Sequence, residues 1–276
     1  MSNGSLEYYY ASTFERIEFS NIKDASILIE NIVSAEDLFR NETEDIIDYL
    51  ISNYLREVWL GEFPPDVDID TIEITDLLVE GASKPENLSD RVWMKLNNLH
   101  KAVKYFLMPP ESYDVLSVEF VKHIHTLIGQ GVIDDCGSYR TKKVCANNSK
   151  VFYASPSSIS FRIEKLFEFV KTKVANVPAS NPEKLAYMFR LGAFLFSEFL
   201  LIHPFSNGNG RTARVLLNAF FRGSIIIPFS LYTGTREDYI DTLEKRSDLS
   251  PPSDLASYLL ICCNRTASQV NWLCLK

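Results

Sequence analysis

The sequence predicts an all-α protein: a helical bundle with one short β-hairpin and an N-terminal helical layer. Three observations carry this. Apolar residues recur at three- and four-residue spacing along most of the 276-residue chain. Ser, Asn or Asp starts and Gly or Pro-Pro stops bracket those segments. The strand-like pieces are confined to the two sides of an Asn-rich turn at Asn147-Asn148.

Taken in order, residues 1–20 are aromatic and mixed. Phe14, Ile17 and Phe19 alternate there, which leaves strand and helix both open. Ser34-Ala35-Glu36-Asp37 reads as a helix start with acids in its first turn. Ile46, Ile47, Leu50, Ile51, Tyr54, Leu55 and Val58 keep helical spacing until Gly61 and Pro64-Pro65. Residues 1–69 are therefore expected to form an N-terminal helical region packed on the remainder of the chain. A short helix near 71–81 stops at Gly81. Asp90–Tyr105 carries the stripe Val92, Leu96, Leu99, Ala102, Val103 and Phe106. Val115–Ile128 is the next helix. Its His123 and His125 are two positions apart and cannot share a helical face, so they make no metal pair, and His125 reads as a core or boundary residue. Val144 and Val151-Phe152-Tyr153 flank the turn of the hairpin. Ser158–Val174 is helical again. Asn181-Pro182-Glu183 opens a long apolar helix with Asn as N-cap. Pro204 should end that helix near His203. A second helix runs from Gly210 to Gly223. Ile225–Leu231 is a packed turn, Arg236-Glu237-Asp238-Tyr239 opens a helix, Leu255–Cys263 closes the bundle, and 269–276 is a tail.

Composition sets bounds. Hydrophobic residues make up 46%, enough for a sizeable core. The 36 acids against 28 bases give a charge of −8, which argues against a nucleic-acid partner. No uncharged apolar run of about 18 residues appears, so no membrane partner is expected. The first ten residues lack the basic start and apolar centre of a secretory leader. The five cysteines are odd in number and show no CxxC spacing, so reduced thiols and a cytoplasmic location are expected.

The chemistry concentrates in His203-Pro204-Phe205-Ser206-Asn207-Gly208-Asn209-Gly210-Arg211-Thr212-Ala213-Arg214. His203 ends a rigid helix at the mouth of a loop. Gly208 and Gly210 let the backbone turn and approach a ligand closely. A glycine-rich loop opening into a helix is an anion site, because main-chain N–H groups and the helix dipole both point at the ligand. Arg211 and Arg214, three residues apart, add guanidinium forks suited to a polyphosphate. An imidazole beside such a site can act as general base for a hydroxyl. No Gly-Lys-Ser/Thr comes after the glycines, which excludes a P-loop enzyme.

The stretch resembles the signature of the Fic family, His-Pro-Phe-x-Asp/Glu-Gly-Asn-Gly-Arg-x-x-Arg, at every position except Asn207, where the family has an acid. The resemblance extends over residues 70–268 as one Fic-type domain. It implies a protein adenylyltransferase that moves AMP from ATP to a Ser, Thr or Tyr hydroxyl of a target protein, with Mg2+ or Mn2+. By the same resemblance, His203 is the base and Gly208, Asn209 and Gly210 the anion hole. Arg211 supports the transferring phosphate, Arg214 the γ-phosphate, and position 207 the metal. An amide in place of that acid implies transfer weakened about 10- to 1000-fold. Asp76-Leu77-Leu78-Val79-Glu80-Gly81 is similar to the family's inhibitory helix, with Asp76 where a hydroxyl residue is usual, and Glu80 would block the γ-phosphate at Arg214. Gly137-Ser138-Tyr139-Arg140 precedes a hairpin that would dock the target on Val151, Phe152 and Tyr153 by strand addition. Tyr239 would line the adenine pocket. Self-modification and a homodimer are further implications of the resemblance. Two alternatives stay open: removal of AMP by Glu80 and His203, or a nucleotide-binding module without chemistry.

Overall fold

A computed structural model describes residues 3–40, 44–62, 71–86, 88–107, 114–145, 153–232, 236–244 and 250–275. Its helices are α1 (Asn3–Glu15), α2 (Ala25–Phe39), α3 (Glu44–Glu62), α4 (Thr71–Val79), α5 (Asp90–Leu107), α6 (Val118–Gly129), α7 (Ile159–Val174), α8 (Asn181–Ile202), α9 (Asn209–Phe221), α10 (Arg236–Glu244) and α11 (Ser253–Cys274). Among the described residues the protein is all-α, as expected. Most of the expected hairpin, at 146–152, lies outside them.

Helix α8 is the centre of the bundle, packing against α1, α2, α7, α9 and α11. Its apolar residues cover every face, so almost all of it is buried, from Leu185 to Ile202. By length and hydropathy it could cross a membrane, yet 72% of the relevant window is buried inside the fold. Helix α9 lies against α8 on one side and against α5 and α6 on the other. α9 is buried along nearly its whole length, which makes its first turn a fixed platform.

Local chemistry sets several helix starts. Asp24 caps α2 by accepting the Ser26 N–H at 3.0 Å, and Ser117 caps α6 by accepting the Phe120 N–H at 3.1 Å. Three boundaries differ from the sequence reading. Ser34 lies inside α2, ten residues past its Asp24 cap. Ser180, not Asn181, is the N-cap position of α8, with its Oγ bound to Glu183 at 2.7 Å. α11 runs on to Cys274, so most of the expected tail is helix.

The N-terminal helices share one hydrophobic core with the rest, from Leu6 in α1 to Val270 in α11. Their buried acids tie them down. The Glu36 carboxylate accepts the N–H groups of Ile226 and Ile227 at 3.0 and 2.9 Å. Glu57 takes both arms of Arg265 at 2.6 Å and the Ser230 hydroxyl. All five cysteines are free thiols, and burial pushes Cys262 up to about 12.

Candidate active site

Helix α8 delivers His203. The residue is the helix C-cap, with φ 50° and ψ 62° in the left-handed region, and its N–H donates to Phe199 O at 3.0 Å. A side chain other than glycine pays roughly 1–2 kcal/mol there. The buried Arg140 holds it in place. Its Nε donates to His203 O at 2.7 Å, Nη1 to Lys142 O at 2.8 Å, and Nη2 to Ala154 O at 2.5 Å and Ile202 O at 3.3 Å. The Arg140 backbone N–H donates to Pro204 O at 2.9 Å. One cation thus satisfies the last carbonyls of α8, at the negative end of the helix dipole.

The His203 imidazole stacks on the ring of Tyr153, 3.9 Å between centroids at 13°. Burial lowers its pKa to about 4. The Leu200 carbonyl opposes that shift, and the Arg140 charge adds to it. At neutral pH the ring is therefore uncharged, the state in which a nitrogen can accept a proton.

The loop after His203 is sewn together by its own neighbours. Asn209 Oδ1 accepts the Phe205 N–H at 3.0 Å, and Asn209 Nδ2 donates to Phe205 O at 2.8 Å. His125 of α6 stacks on Phe205 and reaches the Asn207 carbonyl with Nε2 at 3.0 Å. Ser206 donates to Asp135 at 2.5 Å. Gly208 has φ 76°, and a Cβ there would stand 3.1 Å from Ile133 Cδ1. Conformation and space both call for glycine. The first backbone bond of α9 runs from Thr212 N–H to Gly208 O at 3.0 Å, and Gly208 provides no side-chain cap. The N–H groups at the head of α9 therefore face out of the helix, as an anion site requires.

Asn207 is exposed, and its Oδ1 accepts the Gly208 N–H at 2.7 Å. The atom expected to meet a metal is turned back onto the loop. Among the described residues no group of three or more His, Cys, Asp or Glu is placed to hold an ion. Mg2+ takes charged, hard oxygens from the protein, and an uncharged amide oxygen already engaged is a poor substitute. The side chains present do not fit a protein-held Mg2+.

Arg211 and Arg214 are both buried on α9 but serve different sides. The Arg211 charge acts on His125 of α6 and Lys95 of α5, whose pKa values burial lowers first and Arg211 lowers further. Arg214 lies at the end of α3: a Cβ at Gly61 would stand 4.0 Å from its Nη2.

Glu80 is exposed in the turn after α4. Gly81 comes next with φ 76°, and Ala82 N–H donates to Leu77 O at 2.8 Å, the signature of a Schellman cap. Among the described residues no hydrogen bond or ion pair joins Glu80 to Arg214 or His203. Asp76, in the same helix, accepts from Ser52 of α3. Val151, Phe152 and the Tyr239 side chain lie outside the described residues.

Two residues acquire specific contacts that the sequence did not assign, Arg140 and His125. Their contacts span 63 and 82 positions, and no local spacing marks them. A cleft of about 560 Å³, bounded by Leu116, Val177, Met188 and Phe220, touches none of the motif residues.

Residues 115–221 match the Fic/DOC family. Over 193 residues the chain is 23% identical to the protein adenylyltransferase and cysteine protease IbpA of Histophilus somni, a match covering 69% of this chain and 4% of that protein. Over 144 residues it is 26% identical to the protein adenylyltransferase fic-1 of Caenorhabditis elegans, covering 51% of this chain and 26% of that one. The chain therefore spans a small part of either relative. A solved structure of a Fic domain containing signaling protein from Bacteroides thetaiotaomicron superposes with a TM-score of 0.68 at 15% identity, covering 90% of this chain and 98% of that one. That likeness establishes the fold.

Proposed function

We propose, from the Fic/DOC domain that this chain carries at residues 115–221, that it transfers AMP from ATP to a hydroxyl side chain of a protein. One observation carries the reading: His203, kept uncharged at neutral pH by burial, ends α8, and the short loop that leaves it leads into the glycine-capped start of α9. In this reaction His203 accepts the hydroxyl proton. The hydroxyl oxygen bonds to the α-phosphorus as the bond to the bridging oxygen breaks, and pyrophosphate leaves with the negative charge. Main-chain N–H groups at the head of α9 bind the phosphates, and Arg211 and Arg214 supply positive charge from the same helix. No step is assigned to a metal held by Asn207.

A second reading, ATP binding without transfer, is favoured by the Asn207 oxygen being held by the loop. Removal of AMP, and inhibition through Glu80, both need that carboxylate at the site, and its exposed position lends neither any support. The test is incubation with ATP labelled in the α-phosphate and a divalent metal, with and without cell extract, and then mass spectrometry for added AMP. Self-labelling is the simplest form of the assay. Label that disappears in His203→Ala supports transfer. No label in wild type or in Asn207→Asp, with ATP still bound by calorimetry, selects the second reading. No ATP binding removes both.

A further inference from the structure

The proposed reaction leaves one buried histidine of this region unused. His125 of α6 has no exposed surface and lies between Phe205 and the Asn207–Gly208 peptide. Its two nitrogens have partners of fixed sense. The Gly137 N–H, 2.8 Å from Nδ1, can only donate, so Nδ1 is unprotonated. The single ring proton is then on Nε2, 3.0 Å from the Asn207 carbonyl, which can only accept. The ring lies flat on Phe205, 3.7 Å between centroids at 6°, and Gly208 packs against it so closely that a Cβ on Gly208 would stand 3.4 Å from Nε2.

A trans peptide carries its C=O and N–H on opposite edges. With the Asn207 carbonyl pinned toward α6, the Gly208 N–H must face the other way, where Asn207 Oδ1 now takes it. Gly208 can adopt many backbone angles, so nothing local would stop this peptide from rotating. We infer that His125 is a positioning residue for anion binding: it holds the Asn207–Gly208 peptide with its N–H turned to the phosphate side. The inference rests on the reading that the head of α9 binds the phosphates of ATP. In it, the Asn207 side chain keeps the N–H satisfied until an anion takes its place.

Two substitutions separate the two bonds. In His125→Gln, the amide Nε2 stands where the ring Nε2 stood, keeping the bond to Asn207 and losing the one to Gly137. In His125→Asn, Oδ1 replaces Nδ1, keeping the Gly137 bond and losing the one to Asn207. Affinity for ATP is read by calorimetry on the full chain, beside thermal unfolding. The expected result is affinity within about twofold of wild type for Gln and weakened about 5- to 10-fold for Asn, with similar unfolding losses in both. Equal weakening, or none in either, overturns the inference, since packing alone would not tell the two apart. Should the variants fail to fold, nitrogen NMR of the wild-type imidazole decides. An Nε2–H tautomer whose signal moves on addition of ATP supports the inference, and an Nδ1–H tautomer or an unmoved signal overturns it. Wild type that binds no ATP overturns the functional reading, and this inference with it.

Discussion

Arg140 is where the structure stakes most on one side chain. Arg140→Ala deletes bonds to the carbonyls of His203, Lys142 and Ala154 at 2.7, 2.8 and 2.5 Å, and a longer one to Ile202 at 3.3 Å. A bond from a charged donor is worth about 1.5–3 kcal/mol net. The three short bonds would sum to more than about 4 kcal/mol, but the mutant also escapes the cost of burying a guanidinium. The balance is a loss of about 3–5 kcal/mol, the range seen when one partner of a buried charged network is removed. For a chain of this size that lowers Tm by roughly 10 °C. Function should suffer beyond stability. His203 loses what holds it at φ 50°, and misplacement of a reacting group by about 1 Å costs about 100-fold in rate. Arg140→Lys keeps the charge but not the fork, so it should recover part of the stability and little of the activity. Urea unfolding and AMP labelling, both well below Tm, provide the assay. Arg140→Ala within about 1 kcal/mol of wild type, or with undiminished labelling, would refute the claim that this side chain holds His203, the proposed base.

Three further outcomes are expected. Burial holds His100 and His203 at about 4, against an ordinary value of 6.5. The unfolded chain therefore takes up protons first on acidification. Stability is full above pH 6.5 and falls as the pH drops toward 4, by about 2 kcal/mol per ring at pH 5. Equal urea midpoints at pH 7 and pH 5 would contradict this. Asn207→Asp places a charged oxygen where the resemblance puts a metal and should raise AMP labelling by about 10- to 1000-fold, and an unchanged rate would remove the account of that position. Glu80→Gly should leave labelling within about twofold of wild type, as befits a solvated residue beside a helix cap. A roughly tenfold rise would instead reinstate Glu80 as an inhibitor.

The sequence displayed what is local. The stripes of α3, α5 and α7 bury one face each, so their spacing gave them away. Helix α1 hid because Leu6, Tyr10 and Phe14 point inward while Tyr8 and Tyr9 sit between them, an aromatic run with little contrast between faces. The false start at Ser34-Ala35-Glu36-Asp37 has a similar origin. Glu36 looks like a first-turn acid but is buried, where it caps the Ile226 and Ile227 amides across the bundle. Likewise His203 and the glycines stood out because turn chemistry and the proline stop are written side by side. Arg140 was visible only as the end of Gly137-Ser138-Tyr139-Arg140 and His125 only as a core residue, because their partners are carbonyls far along the chain.

Those carbonyls bear on the kind of ligand proposed for the loop. Ile202 and His203 give theirs to the Arg140 guanidinium, Pro204 to the Arg140 backbone, and Phe205 to Asn209. Asn207 gives its carbonyl to His125, and Gly208 to both the N–H and the hydroxyl of Thr212. A cation needs loop oxygens, and here the scaffold has taken nearly all of them. The first-turn N–H groups of α9 have no acceptor within their own helix and lie at the positive end of its dipole. On the proposed reading, the loop would then favour anions by elimination as well as by attraction. The same arrangement explains why an amide can stand at position 207 without unsettling the fold: its oxygen has a donor at hand in Gly208, and its carbonyl has another in His125. Losing the acid there touches the chemistry of the ligand, while the clamps that shape the loop stay in place.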